Sequence, residues 1–167
     1  IVATDQMSSH LIKPLVARLR PCNDPTIMHL IDTVNGYRSG GYSFTSSHAC
    51  NSFGIFTIVA LLIRHRGLSL SMLLWASING FSRIYLGVHY PGDILCGALL
   101  GAAIGLLIYL MYSFIHKRVE KTSVRITANY TQSGYLTSDA QLMVASLYAT
   151  FAFISIYALV YLNNNIL

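Results

Sequence analysis

One short stretch of the chain combines side-chain types able to carry out nucleophilic and acid–base chemistry. Residues 82–93 read SRIYLGVHYPGD and include Ser82, Arg83, His89 and Asp93. Pro91 is suited to the first position of a helix, so Asp93 falls in the first turn, close enough to His89 to orient its imidazole. Charged side chains between two long apolar runs are costly unless they are paired or functional. This stretch is therefore the first candidate site.

Two more segments carry groups that suit the same site. Lys13 precedes Arg20 and Pro21 by nearly two helical turns, so both cations would share one side of a helix. Residues 43–48 read SFTSSH and open an apolar run, so His48 would lie at a helix N-terminus whose free N–H groups can bind an anion. We expect the three segments to converge at one end of the fold.

Together these groups suit phosphoryl transfer. Cations and backbone N–H groups neutralise phosphoryl oxygens, one imidazole attacks phosphorus, and the other protonates the leaving oxygen. A carboxylate that accepts Nδ1–H leaves Nε2 of the same imidazole free as the nucleophile. Only six Asp and Glu residues are present, which argues against a magnesium site, and the three cysteines lack metal-ligand spacing. The sequence predicts no metal and no cofactor.

The elements that position these groups are predicted to be membrane-spanning helices. The chain is 54% hydrophobic and 10% charged, far from the composition of a soluble domain, and no nucleic-acid partner is expected. Four apolar runs of suitable length cover residues 47–63, 68–86, 91 to about 115, and about 143–162. Residues 1 to about 20 read as a partly polar helix and 21–45 as a loop. The expected fold is one all-α polytopic transmembrane bundle over residues 1–167, preceded by one or more helices that this sequence lacks.

Charge and small residues predict how the bundle is oriented and packed. The basic turn Arg64–Arg66 and the basic segment 116–121 fall on one side if the spans alternate, which favours a cytoplasmic location for both. The candidate site would then lie on the extracytoplasmic side, and a bacterial inner membrane is the expected location. Gly97, Gly101 and Gly105 recur every four residues, as in closely packed membrane helices.

These residues resemble the type-2 phosphatidic acid phosphatase superfamily, whose motifs are K-x6-RP, PSGH and SR-x5-H-x3-D. The chain has Lys13-x6-Arg20-Pro21, then residues 45–48 (TSSH), then Ser82-Arg83-x5-His89-x3-Asp93. The first and third motifs match fully, whereas the second has Thr45 for proline and Ser47 for glycine. The resemblance covers about residues 5–110, so the motifs lie within 13–93 and the C-terminal span lies outside them.

The resemblance implies a haloperoxidase-like helical fold and a role for each motif residue. His89 is the nucleophile that forms a phosphohistidine, His48 is the general acid, and Asp93 orients His89. The implied phosphate-binding groups are the following: Lys13, Arg20, Ser46, Ser47 and Arg83. If the glycine that Ser47 replaces needs a positive φ, the backbone at Ser47 would be strained.

The resemblance also implies a membrane lipid phosphate or diphosphate as substrate. Undecaprenyl diphosphate ranks first, followed by lipid A and phosphatidylglycerol phosphate. One alternative is vanadium haloperoxidase chemistry, although those enzymes are soluble. Another is a non-catalytic subunit that binds or transports a lipid phosphate, which the altered second motif would suit. Outside the motifs, Arg18 and Arg38 could contact a head group, but they are interpreted as solvated loop or interface residues. Tyr90 is interpreted as part of an interfacial aromatic belt.

Overall fold

The computed structural model describes residues 1–119 and 129–166, which form helices, loops and one isolated β-bridge between Tyr130 and Leu136. The N-terminal part is α1 (Val2–Asp5), a π-helical stretch (Gln6–Ile12) and α2 (Lys13–Val16). Three short 3-10 turns follow, and then the long helices α3 (Ser47–Ile63), α4 (Arg66–Tyr85), α5 (Pro91–Val119) and α6 (Thr137–Ile166). The predicted all-α class is confirmed.

The long helices coincide with the predicted apolar runs. Helix α3 has the predicted bounds, α4 and α5 differ by a few residues, and α6 begins at Thr137 rather than near residue 143. Part of the predicted basic segment 116–121 lies outside the described residues, which stop at 119 and resume at 129. The division into one domain over 1–167 remains a prediction.

The N-terminal helix ends earlier than the spacing argument assumed. Its backbone is π-helical ahead of Pro14, which cannot donate a helical hydrogen bond, and it stops at Ala17, whose φ is 49°. Arg20 already has an extended backbone, with φ −74° and ψ 150°. The expectation that Lys13 and Arg20 share one helix face is therefore wrong, because the helix ends between them.

Helices α3 and α5 run parallel and touch through backbone. A Cβ on Gly101 would lie 2.1 Å from the carbonyl oxygen of Cys50, and one on Gly97 would lie 2.6 Å from that of Ser46. Gly105 meets Gly54 in the same way, at 2.8 Å. The glycine repeat therefore works as predicted, since any side chain there would separate the two helices.

Helix α4 runs back along α3 and contributes most of the small apolar core. Leu68 and Met72 of α4 pack with Ala140 of α6, surrounded by partly buried residues of α3, α4 and α6. Tyr148 of α6 accepts a hydrogen bond from Ser71 of α4, whose hydroxyl lies 3.3 Å from the tyrosine oxygen. The outward faces of α5 and α6 expose large apolar side chains along their length, as expected of helices that face lipid.

Length and hydropathy select two described segments as able to cross a membrane, Pro91–His116 and Thr137–Asn163. Helix α3 is apolar but has 17 residues, and α4 is long enough but is made more polar by its serines, Asn79 and Arg83. The fold is that of a transmembrane helical bundle, as predicted, with α3 and α4 packed against the more apolar helices.

Candidate active site

The three sequence motifs meet at the end of the bundle where α3 and α5 begin. The backbone N–H of Ser46 donates to the carbonyl oxygen of Asp93 at 3.1 Å, which ties the second motif to the third. The opposite ends of the helices lie near Arg64, whose guanidinium donates to Tyr109 Oη at 3.2 Å. The candidate residues and the basic turn therefore occupy opposite ends of the bundle, as predicted.

Asp93 is held in place by the start of its own helix. Its Oδ2 accepts the backbone N–H of Tyr90 at 2.9 Å, which satisfies an amide at the α5 N-terminus that has no helical partner. Asp93 is 0% exposed, and the same Oδ2 lies 3.5 Å from Nδ1 of His89. The predicted pair is thus in place, with a separation longer than a well-formed hydrogen bond.

Arg20 determines which ring nitrogen of a neutral His89 carries the proton. Its Nη1 lies 3.3 Å from Nε2 of His89 and 3.1 Å from the carbonyl oxygen of Val88, and its Nε donates to the carbonyl of Gly40 at 2.9 Å. A guanidinium has donors and no acceptor, so Nε2 of His89 must accept. A neutral ring then carries its proton on Nδ1, which faces Asp93.

His89 favours the neutral ring. Burial lowers its pKa below the ordinary value of 6.5, and the charges of Arg20 and Lys13 act in the same direction. The adjacent Asp93 opposes the shift, because its carboxylate lies 3.5 Å from Nδ1 and its negative charge favours the protonated ring. The ring is only 3% exposed. The structure thus presents a buried imidazole whose Nε2 lone pair points toward a cation.

Ser46 and Ser47 shape the start of α3. Ser46 is the N-cap, with φ −72° and ψ 110°, and its hydroxyl accepts from the N–H of Ala49 at 3.4 Å. Ser47 is the first helical residue, and its hydroxyl shares a 2.8 Å hydrogen bond with that of Ser9. The described non-glycine residues with positive φ are Ala17, Asn35 and Arg64. Serine in place of the motif's glycine therefore causes no backbone strain.

His48 occupies a more open position than His89. It is the second residue of α3 and is exposed, and it lies within electrostatic reach of His89 and Arg83. Lys13 and Arg20 act on it as well. The two histidines are therefore neighbours with different access to the outside, one buried and one exposed.

The remaining cations surround the histidines without ion pairs among the described contacts. Lys13 is partly buried and interacts electrostatically with Arg20 and Asp93. Arg83 is partly buried, and its Nε donates to Ser82 Oγ at 3.1 Å. Together with Arg20, these two cations near two imidazoles would suit an anionic group with several oxygens.

The sequence did not predict the partners of Arg18, whose side chain is 42% exposed, as a loop or interface residue would be. Its Nη1 lies 3.1 Å from Oδ1 of Asp93, and its guanidinium carbon lies 3.7 Å from the centre of the Tyr90 ring. Tyr90, assigned to an interfacial belt, donates its hydroxyl to Asp24 Oδ2 at 3.1 Å. No motif spacing links these residues. Only the density of cations in residues 13–20 could have signalled a second arginine at the site.

Within the part of the chain described, no cluster of three or more His, Cys, Asp or Glu side chains could hold a metal ion. Metal independence remains a prediction from the sequence.

Comparison with known proteins agrees with the motifs. The sequence pattern of the PAP2 superfamily matches residues 1–117. The chain is 46% identical over 118 residues to a lipid A 4'-phosphatase of Bacteroides thetaiotaomicron, covering 70% of this chain and 51% of that protein. It is 31% identical over 85 residues to the undecaprenyl-diphosphatase BcrC of Bacillus subtilis, covering 51% of this chain and 42% of that one.

A solved structure is also similar, that of a transmembrane PAP2-type phosphatidylglycerolphosphate phosphatase from Bacillus subtilis. The TM-score is 0.47 and the identity 23%, over 73% of this chain and 58% of that one. The chain spans about half the length of the curated relatives it matches, at 51% and 50% for two lipid A 4'-phosphatases. The match over residues 1–117 and the motif residues gathered at one end of the bundle identify the chain as a member of the PAP2 superfamily.

Proposed function

We propose that the protein hydrolyses a membrane lipid phosphate through a phosphohistidine on His89. The observation that carries the proposal is the position of His89 between Arg20 and Asp93, which leaves the Nε2 lone pair unprotonated and aimed at a cation. A phosphoryl oxygen bound by Arg20 would bring phosphorus to that lone pair. Asp93 would stabilise the positive charge that forms on the ring.

The reaction balances as two displacements. Nε2 of His89 forms a bond to phosphorus while the bond from phosphorus to the lipid oxygen breaks, and His48 gives its proton to that leaving oxygen. Water then attacks the phosphohistidine, His48 takes a proton from the water, and inorganic phosphate leaves with the His89 ring restored. Lys13, Arg20 and Arg83 would neutralise the phosphoryl oxygens, together with the N–H groups at the start of α3 near Ser46 and Ser47.

The first substrate to test is the 4'-phosphate of lipid A. Two relatives named lipid A 4'-phosphatase are 46% and 32% identical to the chain, and each alignment extends over 118 residues. Undecaprenyl diphosphate, ranked first from the sequence, follows, since two relatives named undecaprenyl-diphosphatase are 31% identical over 85 residues and 33% identical over 111 residues. Phosphatidylglycerol phosphate is third, with a relative named phosphatidylglycerophosphatase B at 27% identity.

The charge distribution supports an active site on the extracytoplasmic side of a bacterial inner membrane. Arg64 and Arg66 lie at the end of the bundle opposite the site, and short basic turns are retained in the cytoplasm. The substrate would reach the site from the outer leaflet.

The test is phosphate release from purified protein in mixed micelles, with each of the three lipids as substrate. Replacing His89 with alanine (His89→Ala) should reduce release to the uncatalysed level, because the nucleophile is lost. His29→Ala is the matched control, since His29 is exposed in a loop outside the motifs. Wild-type turnover by the His89 variant would refute the mechanism.

Two further measurements separate the proposal from a non-catalytic binder. Acid-labile, base-stable radiolabel on the protein after brief exposure to a labelled substrate would identify the phosphohistidine. Lipid binding with no release from any of the three lipids would favour the binding or transport role.

A further inference from the structure

Arg18 reaches the centre of the site although it belongs to none of the motifs. The chain reverses direction at Ala17, which has a left-handed backbone, immediately before Arg18. The carbonyl oxygen of Arg18 then accepts the backbone N–H of Ser43 at 2.8 Å, and the carbonyl of Leu19 accepts the Ser43 hydroxyl at 3.1 Å. The backbone of Arg18 is therefore fixed against the segment that leads into the second motif.

The side chain of Arg18 is fixed at its charged end. It is 42% exposed, yet Nη1 lies 3.1 Å from Oδ1 of a carboxylate with no exposed surface. Its guanidinium stacks 3.7 Å from the centre of the Tyr90 ring, and the hydroxyl of that ring donates to Asp24 at 3.1 Å. Stacking and a fixed partner together hold the guanidinium in one orientation.

The two oxygens of Asp93 thus have separate partners. Oδ2 accepts the Tyr90 amide and faces Nδ1 of His89, whereas Oδ1 is paired with Arg18. Without Arg18 the carboxylate would lose its cation, and Oδ1 would lose the hydrogen bond described for it. Oδ2 would still accept the Tyr90 amide at 2.9 Å, but the uncompensated carboxylate could rotate about that anchor, so its geometry toward Nδ1 of His89 would be less closely fixed.

We propose that Arg18 is a positioning residue for phosphoryl transfer, holding Asp93 so that Oδ2 can receive the Nδ1 proton of His89. The inference rests on the proposed function, because it assigns Arg18 a part in the reaction of that same site. Arg18 acts through Asp93 and need not touch the substrate.

The charges around His89 predict how the loss of Arg18 would change the protonation of that ring. Those that act on the ring come from Lys13 on α2, Arg20 in the loop that follows, His48 on α3 and Asp93 on α5, while Arg83 on α4 acts on His48. Arg18 offsets the negative charge of Asp93. Its removal would leave that charge uncompensated and would favour the protonated ring, which cannot attack.

The experiment compares three variants. Arg18→Gln removes the charge and Arg18→Lys keeps it. Arg38→Gln is the matched control, because the partners described for Arg38 are the Cys22 carbonyl and the Met28 sulfur, and neither is a histidine or Asp93. For Arg18→Gln we expect kcat to fall roughly a hundredfold, the effect of a small misplacement of reacting groups. The acidic limb of the kcat/KM profile should move to higher pH. Arg18→Lys should restore the position of that limb, and Arg38→Gln should behave like the wild type.

Titration of the His89 ring by nitrogen NMR in micelles provides a second measurement, which needs no turnover. A higher titration midpoint in Arg18→Gln than in the wild type is the expected result. Unchanged kcat and an unchanged midpoint would overturn the role of Arg18, even in an active enzyme. A shifted midpoint in a protein that releases no phosphate from any lipid would instead refute the proposed function and leave the coupling of Arg18, Asp93 and His89 standing.

Discussion

At the scale of single residues, His89 as the proposed nucleophile meets two demands that usually conflict. A nucleophilic imidazole must be neutral before attack and must tolerate positive charge afterwards. Burial and the nearby cations serve the first demand by lowering the pKa, and the adjacent Asp93 serves the second. Because Arg20 occupies Nε2 in this structure, attack requires that guanidinium to turn toward a phosphoryl oxygen. The same arginine would thus hold the ring before the substrate binds and the phosphate afterwards.

The pH dependence of activity should report how burial, the nearby cations and Asp93 together set the pKa of His89. In the proposed mechanism only the neutral ring of His89 attacks, and burial lowers its pKa below the ordinary value of 6.5. The acidic limb of kcat/KM should therefore have its midpoint below that pH. Asp93→Asn removes the group that raises the pKa, so the limb should move to still lower pH. Its kcat should fall by as much as about 10⁴-fold, the cost of a disturbed histidine tautomer in serine proteases.

The control for this measurement is Asp139→Asn, since Asp139 is exposed in the first turn of α6 and far along the chain from the motifs. It should leave both kcat and the profile unchanged. A limb that stays in place in Asp93→Asn, or one that moves to higher pH, would show that it does not report the protonation of His89.

At this scale the sequence predicted the motif residues but not the contacts that hold them in place. His89 and Asp93 were recognisable because a fixed spacing and a helix start place them together. Arg18 was not, since its partner lies 75 positions away and neither spacing nor composition indicates which carboxylate an arginine will meet. The proton on Nδ1 of His89 likewise depends on Arg20, which reaches the ring through a loop whose course no pattern specifies.

At the scale of elements, the site depends on how closely α3 and α5 approach. Ser46 begins α3, Asp93 lies in the first turn of α5, and the two are joined by a backbone hydrogen bond of 3.1 Å. The glycines that permit this contact were predicted from their spacing, because helix packing in lipid favours small residues at fixed intervals. The early end of α2 was not predicted, since local propensity alone does not indicate that the chain stops being helical at Ala17.

Gly101→Ala tests this helix contact. The new Cβ would lie 2.1 Å from the carbonyl oxygen of Cys50, and backbone on both sides prevents either group from rotating away. We expect overpacking to lower the free energy of unfolding by about 1–3 kcal/mol and to reduce activity by separating the motifs. Thermal unfolding in detergent and phosphate release measure the two effects.

Gly92→Ala is the matched control on the same helix, because nothing lies within 4 Å of a Cβ placed there. It should leave the unfolding temperature unchanged or raise it slightly, since alanine favours helix over glycine. Equal stability of the two variants would mean that α3 and α5 are not in backbone contact at Gly101.

At the scale of the whole molecule, the charges divide between the two ends of the bundle. The site end gathers the cations Lys13, Arg18, Arg20 and Arg83, and the other end has the basic turn at Arg64–Arg66. The positive-inside tendency alone would not place the first group outside the cytoplasm. In the proposed orientation, an anionic substrate at the outer face would account for those cations, and the short basic turn would set the orientation.

Cysteine accessibility tests that orientation. Thr26→Cys places a thiol in the exposed loop at the site end, and Gln132→Cys places one beside Arg64 and Arg66, where it leaves the basic turn intact. In intact cells, a membrane-impermeant thiol reagent should label the first variant and should label the second only after the membrane is permeabilised. The unsubstituted chain sets the background, because Cys22 and Cys50 are buried and Cys96 is partly so. The reverse labelling pattern would place the site in the cytoplasm. The positive-inside tendency would then explain the cations around His89 without an anionic substrate on the outer face.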